Sequence, residues 1–250
     1  MENNIKICGT NLDFDKEDGY FFNADCLKEM KNIPDKYFDL AIVDPPYGGG
    51  GDEDAENTFN GAIIGRFGGT FQRYFGKDKR GHMGGGHNKK YGYGYWDVRP
   101  PKEYFDELFR VSKNQIIWGG NYFELPPTRC FLIWRKLTIS DNFSMAMAEY
   151  AWTSFNENAK VYECPPQGRS GDPRFHPTQK PIELYKWVLS KYAKPGDLIL
   201  DTHVGSASSL IACKQMGYKY LGFEINEDYY DKAVDRIERE TAQMTIFDFM

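Results

Sequence analysis

From residue 181 onward the sequence alternates between helical and extended patterns. Residues 198–201 and 220–224 are short apolar runs typical of buried strands, and helical patterns precede, separate and follow them. Two parallel strands need a long crossover between them, and a helix of this length supplies it. The sequence therefore predicts an α/β fold with helices packed on a mostly parallel sheet. The predicted helices are 181–192, 206–216 and 227–240.

The first half of the chain contains another buried strand with an unusual ending. Residues 39–43 (DLAIV) form an almost continuous apolar run, which is typical of a strand covered on both faces. The run stops at Asp44-Pro45-Pro46-Tyr47, because neither proline can donate a ladder hydrogen bond. Strands are also predicted at 20–25, 115–118, 130–134 and 149–154, a helical turn at 27–31 and a helix at 102–111.

A glycine turn at 201–209 (DTHVGSASS) joins the strand at 198–201 to the next helix. Gly205 lets a ligand approach the backbone closely, and the following helix N-terminus favours a negatively charged group. Glu224 ends the next strand, where a doubly wound fold places an acid that binds ribose hydroxyls. Together they indicate a nucleoside cofactor. The alternative is an ordinary tight turn, because Ala207 breaks the G-x-G spacing.

The Asp44-Pro45-Pro46-Tyr47 sequence suits chemistry on an exocyclic amine. Such an amine is a poor nucleophile, because its lone pair is delocalised into the ring. Hydrogen bonds from the amine to the Asp44 carboxylate and the Pro45 carbonyl would draw its nitrogen toward sp3 geometry. Tyr47 offers an aromatic face on which a base that has left the duplex can stack. The alternative is a turn that ends the strand, with Asp44 capping a helix or facing solvent.

These residues resemble the amino-group DNA methyltransferases, whose catalytic signature is (D/N/S)PP(Y/F/W) and whose cofactor motif is similar to DxFxGSGTT. The order, with DPPY before the glycine turn, resembles the permuted group called β. Residues 176–181 (HPTQKP) are identical to a segment of that group that contacts the methionine part of the cofactor. Residues 22–26 (FNADC) resemble its GDC-type segment, whose acid contacts the cofactor adenine. Thr202-His203 and Ala207 depart from the usual Pro-Phe and second Gly.

The resemblance implies a Rossmann-like S-adenosylmethionine-dependent methyltransferase fold, with a mostly parallel seven-stranded sheet, helices on both faces and circularly permuted motifs. It implies direct in-line transfer to N6 of a flipped-out adenine, with S-adenosylhomocysteine as product and no metal. The implied catalytic residues are Asp44, Pro45, Pro46 and Tyr47. The implied cofactor-binding residues are Asp25, Cys26, His176, Thr178, Lys180, Asp201, His203, Gly205, Ser206, Ala207, Ser208, Glu224 and Ile225.

Three other functions remain open at this point. N4 methylation of cytosine uses the same amine chemistry, and only the family habit of Asp as the first residue of DPPY favours adenine. Methylation of a protein glutamine is a second alternative, although the related motif usually begins with Asn. A non-catalytic DNA-binding module is the third, and the intact motif at Asp44 gives it no support.

We interpret 1–250 as a single methyltransferase domain carrying a glycine-rich basic insertion at 48–98 and a small candidate target-recognition segment at 138–175. The insertion would contact double-stranded DNA through phosphates and stacked bases, the alternative being a solvated loop. Its candidate DNA-binding residues are Arg66, Arg73, Lys77, Lys79, Arg80, Lys89 and Lys90. His82 and His87 lack acidic or cysteine partners at metal-ligand spacing, so no metal site is predicted.

Net charge, cysteine content and the length of the apolar runs limit which classes of protein this chain can belong to. The formal net charge of −5 is an average that conceals the basic insertion. The five cysteines are scattered without a CxxC pair, which argues against a disulfide framework. No apolar run is long enough to span a membrane and no signal-peptide pattern is present, so we expect a cytoplasmic protein. The habits of the family add two hypotheses, a homodimer and a partner restriction endonuclease.

Overall fold

The computed structural model of this chain describes residues 5–48, 98–140, 146–167 and 173–247, with side chains described up to residue 242. The chain divides into two compact units, Met1–Pro45 together with Lys102–Met250, and Pro46–Pro101. In the second unit, residues 46–48 and 98–101 are described. There Gly48 has a φ of +75°, and a methyl group on it would lie 3.1 Å from Arg99 Cβ.

The first unit is built on strands that form one large sheet and one small hairpin within the described ranges. The strands are β1 (Lys6–Ile7), β2 (Thr10–Asn11), β3 (Gly19–Asn23), β4 (Phe38–Val43), β5 (Ser112–Trp118), β6 (Phe131–Lys136), β7 (Ala148–Thr153), β8 (Lys160–Cys164), β9 (Leu198–Asp201) and β10 (Lys219–Glu224). The large sheet has the order β3-β10-β9-β4-β5-β7-β6-β8. Its strands are parallel from β3 to β5, β7 is antiparallel to both neighbours, and β8 is parallel to β6.

Five α-helices and one short 3-10 helix (Gly120–Tyr122) accompany the sheet in the described ranges. The α-helices are α1 (Cys26–Met30), α2 (Lys102–Val111), α3 (Ile182–Tyr192), α4 (Ser208–Gln215) and α5 (Glu227–Phe247). α2 shows why such segments become helical: Tyr104, Phe105, Leu108 and Val111 recur at helical spacing and are all buried. α1 contacts α2, and α4 contacts both α3 and α5, so the helices form two groups.

The two groups of helices cover opposite faces of the sheet. Leu40 and Ile42 of β4 belong to the hydrophobic cluster that includes Leu184 of α3. Ala41 and Val43 are equally buried outside that cluster, and side chains alternate along a strand, so they face the other side. The predicted fold class is therefore confirmed: a mostly parallel sheet with helices on both faces.

Two features of the structure, β8 and the β1–β2 hairpin, are absent from the sequence-based prediction. Within the described residues the sheet has eight strands instead of seven, because β8 pairs with β6 at the sheet edge. Burial along β8 alternates without an apolar run, so its residues carry little strand signal. The β1–β2 hairpin turns at Cys8 (φ +48°) and Gly9 (φ +83°). Two central residues with positive φ suit a two-residue hairpin, but the usual Asn or Asp is replaced by cysteine.

The predicted target-recognition segment at 138–175 contributes two strands of the main sheet, β7 and β8. Its residues 141–145 and 168–172 lie outside the described residues, and its proposed role stays a prediction. Of the helices in the described part of the chain, none combines the length and apolar character that crossing a membrane requires.

Candidate active site

The predicted cofactor and catalytic segments follow strands that end at the same edge of the sheet. β3, β10, β9 and β4 are consecutive neighbours and run parallel, with Gly222 level with Asp201. β9 and β4 pair directly, so the glycine turn and the Asp44 motif start from adjacent strands. The segments that follow these four strands carry, in strand order, Asp25, Ile225, the turn at 202–207 and Asp44. Ligands of open α/β sheets bind at such an edge.

Asp44 directly follows the buried strand β4, and its side chain is 12% exposed. Lys180 Nζ forms an ion pair with Asp44 Oδ2. Pro45 is buried, so the peptide after the carboxylate is also held in place. Pro46 and Tyr47 belong to the second unit, and their roles in binding a base stay predictions.

Lys180 lies in a chain of four alternating charges. Its side chain is 2% exposed, and its Nζ lies 3.2 Å from Glu149 Oε2. Glu149 Oε1 is in turn 2.6 Å from Lys136 Nζ. Burial lowers the pKa of Lys180, but the Asp44 and Glu149 carboxylates outweigh it and raise that pKa. Burial likewise raises the pKa of Glu149, and the two lysines more than reverse the effect.

Sequence reasoning assigned Lys180 to the cofactor and missed both Glu149 and Lys136. Glu149 lies in β7, and Lys136 ends β6 two residues after Trp134, which is level with Glu149. For Glu149 the available signal was a charged residue in a predicted strand, because such a residue needs a partner where the strand is buried. The partner could not be named before the strand order was known.

Asp201 turns its carboxylate into the glycine turn and is only 3% exposed. Its Oδ1 accepts a hydrogen bond from the His203 backbone N–H at 3.0 Å, and its Oδ2 accepts one from the Ser209 hydroxyl. Burial raises the pKa of Asp201 to about 7, although both hydrogen bonds lower it. In this geometry the carboxylate fixes the turn, and the cofactor contact predicted for it stays a prediction.

Gly205 is the position in the turn where only glycine fits without a shift. Its φ is +54°, and a methyl group there would lie 3.2 Å from Cε1 and Nε2 of His176. The His176 ring packs against Tyr229 with centroids 4.4 Å apart, and its Nδ1 lies 3.2 Å from the Thr178 hydroxyl. Burial lowers the pKa of His176 to about 3, so the ring is neutral. The HPTQKP segment therefore packs directly on the glycine turn.

The serines of the turn face the protein interior. Ser208 Oγ donates to the Lys180 carbonyl oxygen at 2.6 Å and lies 3.3 Å from Ser206 Oγ. Arg236, fully buried in α5, donates through Nη1 to the Ser206 carbonyl oxygen at 2.6 Å and to Ser208 Oγ at 2.8 Å. Arg236 was missed by sequence reasoning, which assigned no role to α5. Ala207 adopts a left-handed conformation with φ +64°, where the family usually has glycine.

Glu224, at the end of β10, also supports the turn. Its Oε2 accepts a hydrogen bond from the Gly205 N–H and its Oε1 one from the Asn226 N–H, both at 2.8 Å. Burial raises the pKa of this carboxyl group. Each oxygen keeps a second lone pair with which it can accept a hydrogen bond from a ribose hydroxyl. That contact stays a prediction. The next residue, Ile225, is 49% exposed and presents an apolar surface at the sheet edge.

Asp25 and Cys26 begin α1 at the same edge. Asp25 Oδ1 accepts a hydrogen bond from the Leu27 N–H at 3.0 Å, which caps the helix, and its Oδ2 lies 3.3 Å from Lys28 Nζ. About a third of the Asp25 side chain stays exposed. The Cys26 side chain is buried, and burial raises the pKa of its thiol.

His203, which replaces the usual phenylalanine, takes part in a polar cluster. Its Nδ1 lies 3.0 Å from the Thr202 hydroxyl and 3.4 Å from the Tyr104 hydroxyl, and these two hydroxyls are 2.6 Å apart. Burial lowers the pKa of His203 to about 4, partly offset by Asp25. The Thr-His sequence is therefore accommodated by Tyr104 of α2, which the motif alone could not reveal.

The candidate DNA-binding residues between Arg66 and Lys90, together with His82 and His87, lie outside the described residues. In the parts of the chain that are described, no group of three or more His, Cys, Asp or Glu side chains is arranged to hold a metal ion.

Comparisons with known proteins identify the family to which this chain belongs. A family model described as DNA methylase, covering N6 and N4 methyltransferases, matches residues 88–235. A relative named "Putative methylase YubD", from Escherichia coli strain K12, is 33% identical over 235 residues, covering 87% of this chain and 89% of that protein. The chain therefore belongs to the amino-group DNA methyltransferase family, as its motifs indicate.

Other similarities are shorter or structural. "Type II methyltransferase M.HpaI" from Haemophilus parainfluenzae is 37% identical over 65 residues, 26% of this chain and 21% of that protein. The fold is similar to the PvuII cytosine-N4-specific DNA methyltransferase, with a TM-score of 0.59 and 12% identity over 90% of this chain and 91% of that one. It is also similar to TTHA0409 of Thermus thermophilus complexed with S-adenosylmethionine, with a TM-score of 0.52 and 16% identity over 89% and 94% of the chains.

The described residues fit the cofactor of this family. Gly205 leaves a space that a single methyl group would fill, directly beside His176. Ile225 leaves an apolar surface exposed next to the Glu224 carboxylate, and the Asp25 carboxylate is partly exposed two strands away from β9. A nucleoside needs both an apolar surface for its base and polar acceptors for its hydroxyls. These groups would hold S-adenosylmethionine.

Proposed function

We propose that this protein transfers a methyl group from S-adenosylmethionine to N6 of adenine in double-stranded DNA. One observation carries the proposal: Asp44, at the end of β4, lies one strand away from the glycine turn after β9. A carboxylate that accepts an amine hydrogen bond and a turn that accommodates a nucleoside cofactor thus share one edge of the sheet.

Residues of the chain account for the steps of the reaction. The Asp44 carboxylate and the Pro45 carbonyl accept hydrogen bonds from the two N–H groups of the amine and free its lone pair for attack. Tyr47 stacks on the flipped-out base. Gly205, Glu224 and Ile225 hold the nucleoside part of the cofactor. S-adenosylmethionine, when bound, supplies a methyl group activated by its sulfonium. The methylated amine would release its extra proton to solvent, and the cofactor would leave as S-adenosylhomocysteine.

N4 methylation of cytosine is the second candidate, because the fold matches a protein named as cytosine-N4-specific. The same two acceptors, Asp44 and the Pro45 carbonyl, serve either amine. Adenine is favoured because DPPY begins with Asp, which by family resemblance is more typical of the adenine enzymes.

The proposal extends to the substrate-binding parts and to the cellular setting. The basic residues of the insertion at 48–98 would contact DNA phosphates, and the segment at 138–175 would help to read the target. We also propose a cytoplasmic enzyme that acts as a homodimer alongside a restriction endonuclease.

The test is to incubate the protein with unmethylated duplex DNA and labelled S-adenosylmethionine, and to identify the labelled nucleoside after digestion. We expect N6-methyladenine. Detection of N4-methylcytosine instead would mean that cytosine is the substrate, with the proposed mechanism unchanged. Asp44→Ala, which removes the side-chain acceptor, should abolish methylation while calorimetry still detects cofactor binding. An unlabelled DNA product from a wild-type protein that binds cofactor would overturn the proposal.

A further inference from the structure

The chain of four charges that ends at Asp44 extends beyond the residues of the recognised motifs, and its central carboxylate, Glu149, is 27% exposed. Lys136 and Lys180 have side chains only 6% and 2% exposed, and both pair with Glu149. Lys180 also pairs with Asp44, so the order is Lys136, Glu149, Lys180, Asp44. The two lysines and two carboxylates sum to zero charge. A buried charge is tolerated when it is paired in this way.

This chain of charges affects how Asp44 can receive a substrate amine. The amine must donate a hydrogen bond to the same carboxylate that Lys180 already contacts. Lys180 is also 5.5 Å from the centre of the Trp118 ring, so its surroundings are apolar as well as ionic. With Asp44 as its one carboxylate partner, the buried Lys180 ammonium would depend on Asp44 alone for its pairing. The substrate amine would then have to compete with that ion pair for the same carboxylate.

We propose that Glu149 is a positioning residue for the methyl-transfer reaction: it shares the Lys180 ammonium with Asp44 and so keeps the Asp44 carboxylate oriented and available for the substrate amine. Glu149 acts through Lys180 and touches neither substrate nor cofactor in this role. The inference rests on the proposed function of Asp44. It differs from a purely structural role in that it predicts an effect on turnover that exceeds any effect on folding.

The experiment compares the wild-type protein with Glu149→Gln in steady-state methylation of duplex DNA. We expect kcat to fall tenfold or more, with the KM for S-adenosylmethionine within threefold of wild type. Glu163→Gln is the matched control, because it breaks an exposed ion pair between the adjacent strands β6 and β8, Arg135 to Glu163 at 2.7 Å. That control should keep the wild-type kcat.

A second variant covers the case in which Glu149→Gln fails to fold. Replacing both partners of a buried ion pair by apolar residues is often neutral or stabilising, since no charge is left unpaired. The double variant Lys136→Met/Glu149→Leu should therefore fold. Its kcat should still fall as in Glu149→Gln, because Lys180 loses its second carboxylate partner in both variants. Wild-type kcat in either folded variant would overturn the role of Glu149. A wild-type protein that methylates no DNA would instead overturn the proposed function, and this inference with it.

Discussion

Replacing Gly205 by alanine should damage the glycine turn, which we propose holds the cofactor, through one identifiable contact. The new methyl group would lie 3.2 Å from two atoms of the His176 ring, which is tighter than ordinary van der Waals contact. The ring cannot move away freely, because it packs on Tyr229 and contacts Thr178. Forcing an extra methyl group into packed surroundings costs about 1–3 kcal/mol.

The backbone contributes separately to the same substitution. Gly205 has a φ of +54°, and an L residue in the left-handed region costs roughly 1–2 kcal/mol. Loss of glycine freedom in the unfolded chain returns about 0.4–1 kcal/mol. Gly217→Ala isolates this backbone part, since Gly217 has a φ of +73° with nothing within 4 Å of its added methyl group. We therefore expect a loss of about 1 kcal/mol for Gly217→Ala and about 2–4 kcal/mol for Gly205→Ala.

Urea unfolding measures both free energies, and isothermal titration calorimetry with S-adenosylmethionine measures cofactor affinity. Gly205→Ala should weaken binding tenfold or more, whereas Gly217→Ala should leave the Kd unchanged. Equal stability losses in the two variants would refute the argument, because they would mean that His176 gives way without cost. An unchanged Kd in Gly205→Ala would show that the cofactor does not use this turn.

Three further substitutions test the supports of the turn. Arg236→Met removes a buried donor to the Ser206 carbonyl and should cost about 2–3 kcal/mol in urea unfolding, whereas Arg239→Met, on the exposed part of α5, should stay within about 0.5 kcal/mol. His203→Phe should reduce acid sensitivity. Burial lowers the His203 pKa from 6.5 to about 4. The contribution of neutral His203 to the free energy of unfolding is therefore complete above pH 6.5 and is lost as pH falls toward 4. Urea unfolding at a series of pH values should show that the variant reduces this slope by at most about 1.4 kcal/mol per pH unit. Ala207→Gly relieves a left-handed alanine at φ +64° and should raise the free energy of unfolding by up to about 1 kcal/mol; a measurable loss would mean that the buried alanine methyl group contributes more than its backbone costs.

Segments with strong local patterns were predictable from the sequence. The helix at 102–111 and the strand at 198–201 have the predicted bounds, because their apolar spacing and flanking prolines or acids mark both ends. The helix predicted at 206–216 instead begins at Ser208, since Ala207 is left-handed and cannot be helical. β8 was missed because an edge strand that is half exposed carries no apolar run.

The candidate site divides in the same way. Motifs identified Asp44, Gly205 and Glu224, because Asp44 directly follows a recognisable strand, Glu224 ends one, and Gly205 lies in the turn after one. Glu149 and Arg236 could not be found in this way, since their importance depends on which elements lie next to each other. Glu149 matters because β7 brings it beside Lys180, and Arg236 because α5 packs against the start of α4.

Lys180 connects the two halves of the site. Its carbonyl oxygen accepts a hydrogen bond from Ser208 in the cofactor turn, and its Nζ pairs with the Asp44 carboxylate. One residue therefore contacts the turn through its backbone and the Asp44 carboxylate, which we propose to be catalytic, through its side chain. We expect a shift of the turn at Ser208 to strain this hydrogen bond to the Lys180 main chain, and so to disturb the ammonium beside Asp44. These segments are distant in sequence but are joined by one buried lysine. The proposed chemistry depends on the adjacency of β4 and β9 and on the segment that bridges them, so it is compatible with the permuted order of the motifs.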